Sequence, residues 1–174
     1  MRNAGPPGLP TAKSAKGHAY NERILQPDSG TRMSFRNPPA EEIRALLQRV
    51  RRIAVVGLSP DPARPSHGVA RALQRFGYRI VPVRPAVDEV LGEKAWPNLH
   101  SVPGPVDLVD VFRAPEHVAA IVDDCIAIHA PALWLQEGVV NEPAAERARQ
   151  AGIMVVMDRC IYKDYRALLK EARA

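Results

Sequence analysis

Arg52-Ile53-Ala54-Val55-Val56-Gly57-Leu58-Ser59-Pro60-Asp61-Pro62-Ala63-Arg64-Pro65-Ser66-His67-Gly68-Val69 is the stretch that decides the fold. A short continuous apolar run ended by glycine is the pattern of a strand buried on both faces. A loop follows. Ser66 then stands where a helix cap belongs, ahead of Val69, Leu73 and Phe76 at helical spacing, with Gly77 as the stop. Strand, loop and helix in this order make the first half of a βαβ unit.

Working outward, the alternation holds in both directions. Upstream, Asn37-Pro38-Pro39-Ala40-Glu41-Glu42 sets Asn37 as a cap residue, early prolines and two acids before Ile43, Leu46, Leu47 and Val50, which predicts an amphipathic helix. Downstream, strands are predicted at residues 78–83, 107–112, 132–135 and 153–157, with helices over 66–76, 115–129, 142–151 and 162–172. Because βαβ crossovers are right-handed and join parallel strands, the expectation is an α/β, Rossmann-like single domain. Its doubly wound five-stranded parallel sheet takes the order 3-2-1-4-5. A chain of 174 residues suits one such domain with appendages and leaves no room for a second catalytic half.

The formal charge of +5 is unevenly spread. Residues 1–36 hold Arg2, Lys13, Lys16, Arg23, Arg32 and Arg36 against Glu22 and Asp28, so the remainder is nearly neutral and does not read as a surface that tracks a phosphate backbone. Rich in Gly, Pro, Lys and Ser without apolar periodicity, residues 1–36 read as a disordered basic extension to a domain over 37–174. A transit peptide lacks the amphipathic pattern it would need, and Met33 offers an alternative start. A secretory signal and any run of about 20 apolar residues are both missing. Cys125 and Cys160 form neither a CxxC pair nor a His/Cys metal spacing. The expectation is a soluble cytoplasmic protein with no nucleic-acid or membrane partner.

Ligands of such sheets sit beyond the carboxyl ends of the strands. Gly57 permits a tight turn there, and the mouth of the next helix offers backbone N–H groups to a phosphate. The loop is not GxGxxG, since Ser59 stands at the second glycine position and the loop is longer. Any βα turn needs a glycine, so Gly57 alone decides nothing; Arg64, able to pair bidentately with a diphosphate, adds the specific signal. At the end of the second strand NAD binding calls for an acid, whereas this chain carries Val83-Arg84-Pro85. Arg84 suits a ribose phosphate, as found at the 2′ position of NADP and the 3′ position of coenzyme A.

Several motifs together carry a resemblance. These are Val55-Val56-Gly57-Leu58-Ser59 with Arg64-Pro65-Ser66, Val81-Pro82-Val83, Val109-Asp110-Val111-Phe112-Arg113, Leu133-Trp134-Leu135-Gln136-Glu137-Gly138-Val139 and Val156-Met157-Asp158-Arg159-Cys160. In this order, over about residues 40–169, the chain resembles the small stand-alone coenzyme A-binding proteins of the YccU type. Those are similar in turn to the coenzyme A-binding domain of the succinyl-CoA synthetase α subunit. The resemblance implies that Gly57, Ser59, Arg64, Pro65 and Ser66 cradle the diphosphate. It also implies that Pro82 and Arg84 border the adenosine and its phosphate, and that Phe112 and Arg113 line the crevice. None of His18, His67, His100, His117 and His129 matches the synthetase's phosphorylated histidine, so ligase chemistry would need a partner subunit.

Cys160 falls where the thiol end of the cofactor would approach, and as a thiolate it could form a mixed disulfide; a small buried residue is the plainer account. Glu137 and Asp158 stand at strand ends as a candidate acid/base pair without a nucleophile. The leading expectation is a small-molecule binding module for coenzyme A or acyl-CoA without catalysis of its own, with a partner subunit or a homo-oligomer as its assembly. The alternatives are a thioester-handling enzyme component and an NADP-linked oxidoreductase using the same crevice.

Overall fold

The apolar run forms β1 (Arg52–Val56) in a computed structural model of the chain, which describes residues 34–170. Four more parallel strands flank it: β2 (Arg79–Val83), β5 (Leu108–Val111), β6 (Ala132–Leu135) and β7 (Met154–Val156). A short antiparallel hairpin, β3 (Glu89–Val90) and β4 (Glu93–Lys94), lies between β2 and β5 in sequence. Side chains alternate along every sheet strand, so each strand feeds two cores. Ala54, Val109, Val111, Leu133, Leu135 and Val155 face one side, under α3 (Val118–Ala127) and α4 (Glu142–Gln150). Ile53, Val55, Leu108, Trp134 and Val156 face the other, under α1 (Ala40–Arg49), α2 (Pro65–Arg75) and α5 (Ile161–Tyr165). Burial on both faces is why these strands are read as unbroken apolar runs.

The five long strands lie in the order β2-β1-β5-β6-β7. Outside β2, Val83 forms a parallel bridge to Trp96, whose N–H donates to Pro82 O at 2.9 Å while Arg84 N–H donates to Trp96 O at 2.8 Å. With that one-residue strand counted as the third, the six positions run 3-2-1-4-5-6, which contains the expected 3-2-1-4-5. The segment 107–112, predicted as the third strand, is therefore the fourth, and pairs directly with β1. Pro82 is tolerated because its missing N–H falls on the outer side of β2, where few ladder bonds are lost.

Three local expectations are corrected. Asn37 does not cap α1, whose N-cap is Pro39; its amide instead bonds the Met157 backbone, accepting from Met157 N–H at 2.7 Å and donating to Met157 O at 2.8 Å. Nor does Ser66 cap α2. The N-cap is Arg64, Pro65 takes the first helical position, and Ser66 lies inside the turn. At the carboxyl terminus the predicted single helix is α5 followed by a π-helical turn (Arg166–Lys170). Ser34 and Phe35, assigned from the sequence to the extension, contact the domain: Ser34 Oγ donates to Glu142 at 3.3 Å and Phe35 packs against the α3–α4 core. The disorder expected for residues 1–33 lies outside the described residues.

Candidate functional site

Every sheet strand points its carboxyl end at one cavity of about 560 Å³. It is lined by all of the expected residues except Pro82: Gly57, Ser59, Arg64, Pro65 and Ser66 from the loop after β1, Arg84 after β2, Phe112 and Arg113 after β5, and Cys160 after β7. Pro82 is buried within β2, in register with Val55, and is not a lining residue.

Gly57 makes the close approach possible. Its φ is +85°, and a Cβ there would lie 2.7 Å from Phe112 O and 2.9 Å from Arg113 Cδ, so the loops after β1 and β5 can meet only over a residue without a side chain. Beyond it the loop holds itself. Ser66 Oγ accepts from Ser59 N–H at 3.1 Å, Ser59 Oγ from Asp61 N–H at 3.2 Å, and Asp61 Oδ1 from Ala63 N–H at 2.9 Å. The row of free N–H groups expected at the α2 mouth is thereby reduced: Pro65 has none, and His67 N–H already donates to Arg64 O at 3.1 Å. What the loop keeps are the O–H donors of Ser59 and Ser66, both buried.

Around these hydroxyls stand Arg64, Arg84 and Arg113 on three separate loops. None of the three makes an ion pair among the described residues. Glu137, the one lining carboxylate, is bound by Lys163 Nζ at 2.8 and 2.9 Å, which raises the lysine's pKa. Arg84 and Arg113 also border a second, smaller cavity of about 240 Å³ toward α3, walled by Pro85, Leu99 and Ile121. A charged, hydroxylated cavity thus adjoins an apolar slot, with cations at their junction. Such an arrangement suits a ligand with phosphates at its middle and a flat base at one end.

Opposite the loops, the β6 and β7 ends are fixed by side chains. Asp158, with φ +56°, accepts from Gly138 N–H at 2.8 Å, and Trp134 Nε1–H donates to Arg159 O at 2.7 Å. Arg159 pairs with Asp164 through two bonds of 2.6 Å, which raise the arginine's pKa. Glu137 and Asp158, weighed as an acid/base pair, are each engaged in these structural bonds. Gln136, named only within a motif of the resemblance and not assigned to the site, lines the cavity, as do Val69 and Val139. Gln136 Nε2–H donates at 2.7 Å to Asp110 Oδ1, and burial pushes the Asp110 carboxyl up to about 7, against the opposing pull of hydrogen bonds from Gln136 and the Val111 backbone.

A larger groove, about 710 Å³, opens at the other end of the sheet between α1 and the π-helical turn. No group of three or more His, Cys, Asp or Glu among the described residues could hold a metal ion. No described helix is long and apolar enough to cross a membrane.

Comparison with known proteins agrees with the geometry. An uncharacterized protein, YneT, of Bacillus subtilis is 46% identical over 127 residues, spanning 73% of this chain and 94% of its own. A hypothetical protein from Pyrococcus horikoshii superposes with a TM-score of 0.74 at 34% identity, covering 78% of this chain and 97% of that one. The α subunit of an ADP-forming acetate–CoA ligase of Pyrococcus furiosus is 33% identical over 76 residues, 43% of this chain but only 17% of the subunit. The family model described as a CoA binding domain matches residues 51–166, the span that carries the sheet and every loop of the cavity, and the chain belongs to that CoA-binding domain family.

Proposed function

We propose that the protein binds coenzyme A or an acyl-CoA at the carboxyl end of its sheet and has no catalysis of its own. The observation that carries this reading is the set of three arginines without ion pairs among the described residues, Arg64, Arg84 and Arg113, lining one cavity with the buried Ser59 and Ser66. Three cations around one concave site focus their field on an anion within it, and a diphosphate with a further ribose phosphate supplies charge for all three. The residues present fit such a cofactor. The loop cations and hydroxyls would hold the diphosphate, Arg84 the ribose phosphate, and the slot beside Pro85, Leu99 and Ile121 the adenine. The thiol end would run toward Cys160 and Gln136. Coenzyme A contributes a thiol that carries acyl groups; the chain contributes binding and orientation.

A second reading has one observation in its favour. The chain's likeness to a small part of an acetate–CoA ligase α subunit supports a thioester-handling component that acts with a partner subunit. An NADP-linked activity is disfavoured by the loop, which lacks GxGxxG. Isothermal titration with coenzyme A, NADP and NAD ranks the three, and coenzyme A is expected to bind most tightly. Absence of heat with coenzyme A at millimolar concentration defeats the proposal.

A further inference from the structure

Asp110 and Gln136 are buried polar residues directly behind the cavity. Asp110 sits in β5 between Val55 of β1 and Trp134 of β6, with no exposure at all. Gln136 follows β6, is 4% exposed, and reaches the cavity wall. Its Nε2–H donates to Asp110 Oδ1 at 2.7 Å. A primary amide has two unlike ends, so holding the nitrogen fixes where the oxygen points. Gln136 Oε1 has no hydrogen-bond partner among the described residues. It is also not one of the partnerless buried atoms, which are Arg52 Nε, His67 Nδ1 and Asp110 Oδ2. Oε1 therefore keeps accessible surface, and the space it borders is the cavity.

A bare acceptor in this cavity does not suit a phosphate, which would be repelled by its lone pairs. It suits an N–H. We propose that Asp110 is a positioning residue that turns the amide of Gln136 so that Oε1 accepts from an N–H in the ligand's thiol-bearing arm. The inference rests on the coenzyme A reading and deepens it. The arm of coenzyme A contains two secondary amides, whereas adenosine 3′,5′-bisphosphate keeps the adenosine, its 3′-phosphate and the inner 5′-phosphate and lacks both the outer phosphate and the arm. Gln136 is then a specificity residue for the arm, and Asp110 acts through it without touching the ligand.

The test is calorimetric titration of the full chain with coenzyme A and with adenosine 3′,5′-bisphosphate. The parent protein is expected to bind coenzyme A at least about tenfold more tightly than the bisphosphate. Gln136→Met, which keeps length and removes the acceptor, should lower coenzyme A affinity about tenfold and leave the bisphosphate unchanged, the effect of one buried hydrogen bond. Asp110→Asn frees the amide to turn either way and should give a smaller loss, again for coenzyme A alone. Equal parent affinity for both probes overturns the inference while sparing the nucleotide site, and it does so without relying on a variant that folds. An unchanged coenzyme A affinity in Gln136→Met, or an equal loss for both probes, also overturns it. If neither probe binds the parent, the coenzyme A reading itself fails and this inference with it.

Discussion

The two ends of the sheet each carry a cavity, and the larger one is the less built. At the amino end, about 710 Å³ lies between Arg44, Arg51, Phe76 and Leu169, and the buried polar group on its wall, the Tyr78 hydroxyl, is already spent on Leu47 O at 2.7 Å. At the carboxyl end, a smaller space is backed by Ser59, Ser66 and Gln136, all buried, with Asp110 behind Gln136. Burying polar groups costs free energy unless something repays it. Their concentration at one end supports the proposed placement of the site there, where volume alone would favour the other end.

The contrast is sharpest at two glycines. Gly57 and Gly77 both have positive φ, +85° and +96°, but a Cβ at Gly77 would meet nothing within 4 Å. Gly57→Ala should cost about 3 kcal/mol, combining left-handed strain with the clash at Phe112 O, and Gly77→Ala only about 1 kcal/mol. Denaturant unfolding of the two variants checks this, and equal losses would remove the close approach from the account.

Next come the cations. Arg64→Ala and Arg113→Ala should each weaken coenzyme A binding by about 1 to 3 kcal/mol, the range for a hydrogen bond to a charged group. Arg44→Ala, at the amino-end groove, should leave it unchanged. A calorimetric series in which Arg44→Ala weakens binding as much as Arg64→Ala would reverse the assignment of the two ends.

The smallest effect leaves stability alone. Cys125 is enclosed by the α3–α4 core, where burial pushes its thiol up to about 12, while Cys160 lines the cavity. On incubation with the disulfide form of coenzyme A, the Cys160 thiolate attacks one sulfur and releases one coenzyme A thiol, leaving a mixed disulfide. Mass spectrometry should find one adduct on Cys160, none on Cys125, and none on Cys160→Ser. An adduct that survives in Cys160→Ser would show that the cavity does not direct the reaction.

Much of the architecture was legible because buried parallel strands write themselves as apolar runs, as at 52–57 and 132–135. The loop residues of the site were legible for a related reason: they follow those runs directly. What escaped was set by tertiary contact. A one-residue strand at Trp96 and a hairpin of two-residue strands have no period to detect. Ser66 and Asn37 look like caps in sequence, yet their side chains find partners in the β1 loop and at Met157. Pro82 was placed beside the adenosine by the resemblance, whereas in the structure it is buried within β2. Val69 and Val139 carry no polar signal at all.

Asn37 and Trp96 have one more consequence together. An open parallel sheet ends in two rows of unsatisfied peptide groups, each an invitation to foreign chains. Along the β2 margin Trp96 takes a carbonyl and an N–H, and Pro82 withholds another donor; past the tip of β7 the Asn37 amide mimics one residue of a neighbouring strand. Single residues thus stand in for part of an edge strand, leaving fewer open peptide groups for fibril-like stacking at little cost in chain length.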